Sequence, residues 1–406
     1  MGRPKRQDVR EDQVKGLKYV DRLGPLLARL HDVGTARDQA GNRTLFFDQY
    51  CFLVLLFLFN PLVSSLRAIQ QASQLQKVQR RLGCARASLG SLSEAVDVFE
   101  PERLQEIVQE LSQELGPIAR DARLAEVQQT ITLADSTVLA ALPRITAAMW
   151  RTQRKGEVRH SWALHTEFCL DRSVPERMTL TNGSNSGAAH ERAVLKEHLQ
   201  ADRCYVMDRG YFQYTLFNAI RAASSSYVCR VRDTSGFVVT AERPLSEAAR
   251  QAGVTQDVVG RMGDSCKAAK RPDHLIRLVC LTVKPHVKRC GAKGRAGPPS
   301  DGVLRIATDL LDVPAEIIAL IYQYRYTIEI FFRFFKHVLG CRHLLSDDPK
   351  GIAIQTYCAI IACLLVALYS GRKPTLRTYE MVCYYFLGLA DTQEMLAHLQ
   401  RLAPQV

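Results

Sequence analysis

The chain has 406 residues, 47% hydrophobic and 23% charged, with 54 Lys and Arg against 41 Asp and Glu for a formal charge of +13. That balance excludes a disordered polyelectrolyte, and the length exceeds one ordinary core, so two or three packed units are expected. A positive excess carried on a folded surface points to a polyanionic partner, with nucleic acid favoured over an anionic membrane surface.

The first ten residues, with Arg3, Lys5, Arg6 and Arg10, read as a basic arm that either touches phosphates or is simply solvated. Apolar spacings of three and four then predict helices over 13–31, 46–59, 62–81, 91–99 and 101–115. Residues 1–125 are accordingly read as an all-α, DNA-binding domain. Ser91 and Ser93 are candidate helix caps, and Pro101 sits where a first-turn proline belongs. The stretch 83–95 is compatible with a helix-turn-helix, although plain helical packing is the commoner source of such a pattern. The apolar run over 52–59 stops at Asn60-Pro61, well short of the roughly 20 residues a membrane span needs. Residues 352–369 form a longer run, but Gln355 and Thr356 interrupt it and Gly371-Arg372-Lys373-Pro374 closes it. Both are expected to be buried core helices, with no membrane contact. None of the 12 cysteines forms a Cys-x-x-Cys pair, so zinc is not indicated. Reduced thiols in a cytoplasmic protein without a signal peptide are expected.

From about residue 128 the period changes to that of strands. Residues 130–136 alternate, 162–170 form a second strand candidate, and 204–208 a third, preceded by a helix over 190–199 and followed by one over 212–222. Strands alternating with helices argue for an α/β core over 126–225. Pieces at 227–232, 237–241 and 275–284 suggest a β-rich insertion over 226–304; the remainder, 305–406, opens with a strand at 303–309 and is then helical. The loop holding Lys284, Lys288, Arg289, Lys293 and Arg295 has no carboxylate between 284 and 300 and either tracks a DNA backbone or is solvated. Arg151, Arg154, Lys155 and Arg159 form a second such cluster.

Asp135 and Asp208 each fall at the end of an apolar strand, where sheet-edge sites form, although either alone also reads as a cap or turn residue. At about 100° per residue, Tyr322, Arg325, Glu329 and Lys336 share a stripe about 60° wide on one helix. Ile328, Ile330, Phe331, Phe332, Phe334 and Phe335 surround that stripe, so the helix is expected to be mostly buried. Burying such charges demands ion pairs among them, or bound ions and phosphates.

The spacing Tyr322-x2-Arg325-x3-Glu329-x6-Lys336 resembles the Tyr-Arg-Glu-Lys (YREK) signature of DDE transposases of insertion sequence family four. Asp135-Ser136-Thr137 resembles that family's first-aspartate segment, and Asp208-Arg209-Gly210-Tyr211 its second. The resemblance implies a ribonuclease H-like core in which Asp135, Asp208 and Glu329 are catalytic and hold two Mg²⁺ or Mn²⁺ ions. Arg325 and Lys336 would hold DNA phosphates, Tyr322 would pack on the same backbone, and Arg209, Lys288 and Arg289 would contribute DNA contacts or pair locally. His165 would lie near the site, or be a satisfied core histidine. The expected partners are double-stranded transposon ends with terminal inverted repeats and target DNA, bound by a homodimer. The reaction implied is metal-dependent cleavage followed by strand transfer. A DNA-binding protein built on an inactive core, or a simple metal nuclease, would carry much the same residues. Some relatives stack a flipped base on a tryptophan of the insertion; here both tryptophans, Trp150 and Trp162, precede it, leaving Tyr227 or Phe237 as substitutes.

Overall fold

The computed structural model describes residues 18–402 apart from 39–40, 61, 119–120, 142–145, 152–156, 265, 283–301 and 342. The N-terminal basic arm, the basic loop at 284–295 with Lys288 and Arg289, and Arg154 and Lys155 lie outside the described residues.

Six helices open the described chain: α1 (Tyr19–Ala28), α2 (Phe47–Phe59), α3 (Leu66–Ser73), α4 (Gln76–Leu82), α5 (Leu89–Val98) and α6 (Leu104–Glu114). The expected single helix over 62–81 is broken at Gln74-Leu75, and Ser65 caps its first half by accepting from the Ala68 amide. Helix α5 starts earlier than its serines suggested, because Ser88 accepts from the Ser91 amide and is the cap. Helix α2 is buried on nearly all sides.

That burial is supplied from the far end of the chain. After α7 (Glu191–Glu197), α8 (Tyr214–Ala222), α9 (Glu247–Gln251), α10 (Ala315–Tyr324) and α11 (Tyr326–Arg333) comes the 22-residue α12 (Pro349–Ser370). It runs through the middle of the helical layer against α2, α5, α6 and a strand of the sheet. It is long and apolar enough to cross a membrane, yet 83% of its apolar window is buried inside the fold, as expected of a core helix. Gln355 is tolerated at its centre because its amide donates to the His343 carbonyl and its oxygen accepts from the Leu345 amide. Helices α13 (Leu376–Phe386) and α14 (Thr392–Arg401) close the layer. The described cysteines are all free thiols, and all but Cys266 are buried.

The sheet has ten strands: β1 (Thr130–Ala140), β2 (Met149–Arg151), β3 (Val158–Cys169), β4 (Val174–Asn182), β5 (Arg203–Met207), β6 (Ser226–Arg230), β7 (Phe237–Glu242), β8 (Val254–Met262), β9 (Ile276–Thr282) and β10 (Val303–Thr308). Strand β1 is central to the first half, antiparallel to β3 and parallel to β5, which in turn is parallel to β6. Strand β4 flanks β3. Beyond β6 the sheet continues antiparallel through β10, β9, β8 and β7, so the β-rich pieces extend the same sheet.

Two acid–arginine contacts cross neighbouring strands of this sheet, with opposite effects on stability. On β9, Arg277 is 1% exposed and makes a two-pronged pair, 2.8 Å per contact, with Asp257 on β8. The same guanidinium donates to the carbonyls of Leu310, Leu311 and Val313 in the connection from β10 to α10. On β3, Glu167 lies 3.5 Å from Arg177 of β4, but burial pushes its carboxyl up to about 7. A folded-state pKa above the ordinary 4.5 means that the fold loses stability as pH rises from about 4.5 to 7. Glu167→Gln is therefore expected to gain about 1–3 kcal/mol at pH 8 and nothing at pH 4, measured by urea unfolding at both values.

Candidate active site at the strand ends

The parallel register sets Ala134 opposite Met207. One residue further, Asp135 stands beside Asp208, the first residue after β5. Strand β1 continues to Ala140, so Asp135 is mid-strand and not at its end; the site forms where β1 outruns its shorter neighbour. Asp208 Oδ1 accepts from the Gly210 amide at 2.6 Å, which caps the turn Arg209–Tyr211. Glu329 reaches the pair from α11. Arg325 joins two of the acids, with Nη1 3.3 Å from Asp135 Oδ2 and Nη2 on Glu329 Oε1.

Burial raises the Asp135 carboxyl to about 6; the Ser136 amide, 2.8 Å from its Oδ1, and Arg325 pull the other way, while the charges of Asp208 and Glu329 add to the rise. Asp135 thus senses the other two acids across the strand ends. Tyr322 is pushed up to about 12, first by burial, with Asp208 again among the contributing charges. Lys336 donates to the Val138 carbonyl of β1 at 2.8 Å, and burial lowers its pKa. All four residues of the stripe therefore face this corner of the sheet.

Their helix is not the continuous buried rod expected. It breaks at Arg325 between α10 and α11, and Phe334–Val338 winds as a π-helix that carries Lys336. Ile330 is 48% and Tyr326 51% exposed, and the Glu329 side chain is 40% exposed, because one face of α11 looks outward. Such π segments often sit at functional sites, where they re-aim a side chain.

Arg209 is exposed and makes no ion pair among the described residues. Arg159, from the second basic cluster, pairs with Glu157 at 3.5 Å and lies over the Trp150 ring. His165 lies across from Ser136 in the sheet; its Nε2 meets Thr181 Oγ1 at 2.8 Å, Nδ1 has no partner, and burial lowers it to about 4, so it is neutral. Tyr227 cannot offer a face to a base: it is fully buried, stacked on Phe217 at 4.0 Å, with its hydroxyl on His274. Phe237, on β7, is only partly buried.

One carboxylate went unread. Glu191, the first residue of α7, accepts from the Ser136 hydroxyl at 3.2 Å, and both burial and the charge of Asp208 raise its pKa. A lone first-turn acid on a short helix is ordinary in sequence, and no spacing tied it to Asp208.

Carboxylates gathered at the ends of parallel strands, with an arginine between two of them, can hold a hard cation and meet a phosphate. As they stand, no three such side chains converge as a ready metal cluster among the described residues; the Arg325 guanidinium occupies the space between Asp135 and Glu329. Residues 126–365 match the family model described as Transposase DDE domain. The chain belongs to that family, the DDE transposases, enzymes that act on DNA. A Sinorhizobium fredii protein named as a transposase, y4zB, is 26% identical over 276 residues, covering 66% of this chain and 69% of that one. A Geobacillus stearothermophilus protein named as the transposase for insertion sequence element IS5377 is 26% identical over 241 residues, covering 59% of this chain and 56% of that one. Among solved structures, the piggyBac transposase synaptic complex with hairpin DNA aligns with a TM-score of 0.40 and 11% identity, over 94% of this chain and 80% of that one.

Proposed function

We propose that this transposase cleaves DNA at the ends of a mobile element and joins them to target DNA, with Asp135, Asp208 and Glu329 as its catalytic carboxylates. The observation that carries this reading is that Arg325 bridges Asp135 of β1 and Glu329 of α11, while Asp208, just after β5, lies near enough for its charge and that of Glu329 to act on Asp135. The order β4-β3-β1-β5-β6, antiparallel on one side of β1 and parallel on the other, supports a ribonuclease H-like core for residues 126–225 and 305–406. The helices of 1–125 and the β extension of 226–304 are assigned to DNA contact. The Tyr322, Arg325, Glu329 and Lys336 set supports placement in insertion sequence family four. By the same resemblance, the protein works in the cytoplasm as a homodimer on paired ends.

The donor set fits Mg²⁺ or Mn²⁺, since the carboxylate oxygens are hard ligands, and the nearby Cys229 thiol is engaged with the Asp208 backbone carbonyl rather than its carboxylate. Two such ions would lower the pKa of an attacking water and neutralise charge on the reacting phosphate. Asp135, the acid on which the charges of the other two act, would be among the residues that hold these ions. Arg325 has a planar fork suited to two phosphate oxygens and exchanges its carboxylates for DNA. Lys336 adds a point charge, and Tyr322 packs against the backbone between them. Arg209, Lys288 and Arg289 would extend the track along the duplex.

Incubation with the DNA ends flanking the gene, with Mg²⁺ and then with EDTA, tests the reading: joined products that vanish on chelation are expected. Nicked products without joining would make it a nuclease. Because binding rests on Lys and Arg, affinity for DNA is expected to fall by about 10³ or more between roughly 50 and 200 mM salt in a filter-binding titration. A flat response would contradict the assignment of the basic surface.

A further inference from the structure

The acids of the site fall into two halves with different charge balance. Asp135 and Glu329 share the Arg325 guanidinium. Asp208 and Glu191 have no ion pair among the described residues; their partners are the Gly210 amide and the Ser136 hydroxyl. The nearest cation in sequence, Arg192, acts on Glu191 through its charge but makes no ion pair with it, donating to the Phe212 carbonyl at 3.4 Å and lying 2.8 Å from His190 Nε2. The two carboxylates face each other over Gly210. A Cβ at that position would collide with Glu191 Oε1 and stand 2.9 Å from Asp208 Oδ1, so only glycine leaves both oxygens in place. Two partly buried anions aimed at one point repel unless a cation joins them. The Ser136 hydroxyl fixes Glu191 from the next residue along from Asp135, so strand β1 orients acids of both halves.

We infer that Glu191 is a fourth carboxylate of the divalent-cation site, and that with Asp208 it forms the seat that fills first, before DNA is bound. This rests on the reading of Asp135, Asp208 and Glu329 as cation ligands. An ion entering between Asp135 and Glu329 would have to displace Arg325, whereas no cation is ion-paired with Asp208 or Glu191 among the described residues. A DNA phosphate gives Arg325 another partner and opens the second half. Cation loading is thereby ordered, with DNA admitting the second ion.

The test is Mn²⁺ binding to the full chain without DNA, read from the electron paramagnetic resonance of free Mn²⁺, for the unsubstituted protein and for Glu191→Gln, Asp208→Asn and Glu329→Gln. Glu191→Gln and Asp208→Asn are expected to weaken the first Mn²⁺ about 10- to 100-fold, and Glu329→Gln to leave it within about threefold. Glu191→Asp keeps the charge and is expected to retain binding better than Glu191→Gln; Ser136→Ala, which keeps every carboxylate, is expected to weaken Mn²⁺ by a smaller factor. Circular dichroism confirms that each variant is folded, and the last two carry the test if Glu191→Gln is not. Loss in Asp208→Asn alone, with Glu191→Gln unchanged, overturns the role of Glu191 and spares the cation-site reading. Equal loss in Glu329→Gln overturns the order of filling. No change in any variant overturns the cation-site reading itself.

Discussion

Asp135→Asn, Asp208→Asn and Glu329→Gln are each expected to lower DNA cleavage by on the order of 10³-fold or more, with DNA affinity held within about threefold. The two halves of that outcome have separate causes. Each substitution keeps size and shape but turns one acceptor oxygen into an NH2 donor and deletes the charge, so a hard cation loses a ligand while the basic surface is untouched. For Asp135 the change also relieves repulsion, because its carboxyl is already pushed up by burial and by its two acidic neighbours. The folded protein should therefore become slightly more stable as it becomes inactive, a pairing that simple misfolding cannot produce. Gel-shift and cleavage assays on the same preparations, with urea unfolding alongside, check all three statements. Full cleavage by any one variant removes that residue from the site.

Asp257→Ala is expected to cost about 3–5 kcal/mol of stability, because it leaves the Arg277 guanidinium buried without its paired carboxylate. Arg243, 3.5 Å from Asp257, is about one third exposed and can turn to water, so the loss falls on Arg277. Arg277 also holds the three carbonyls that lead into α10, the helix that carries Tyr322, ends at Tyr324 and hands on to Arg325. Cleavage should fall beyond what the unfolded fraction explains, measured at a temperature where the variant is still folded. Arg277→Met, by contrast, deletes the charge and orphans the carbonyls, and is expected to loosen the same connection. Unchanged unfolding midpoints for both would show that the pair is incidental.

The candidate site was legible where residue types at fixed gaps constrain one another. Tyr322, Arg325 and Lys336 fix the register of Glu329, and Asp208 is framed by a short apolar strand before it and Arg209-Gly210-Tyr211 after it. Asp135 was legible as a strand acid but misplaced within its strand, since nothing local shows that β1 outlasts β5. Glu191 was illegible because its meaning depends on a glycine and a serine brought to it by other elements. Strands β4 and β8 were missed for a related reason. Strand β8 carries Thr255, Gln256, Asp257, Gly260 and Arg261, a polar run whose buried Asp257 makes sense only once Arg277 lies on the next strand. In β4, Val174, Pro175 and Met178 are the buried positions, which does not give the strict alternation a strand reading needs. The helical break at Arg325 and the π turn at Phe334–Val338 also escaped, because a uniform 100° step fits the same residues.

The position of α12 has a consequence for how the protein is made. Helices α2, α5 and α6 emerge early from the ribosome, but much of their cover belongs to residues 349–370. Until those residues are synthesised, α2 can pack on α1, α3 and α5 but keeps the face that meets α12 uncovered. Chaperone binding and protease sensitivity of nascent chains should therefore persist through most of translation and end sharply once α12 clears the exit tunnel. Since α11, with Glu329, is made just before it, the acidic site and the helical layer that braces it would come into being almost together, leaving little time for a half-built enzyme to meet DNA.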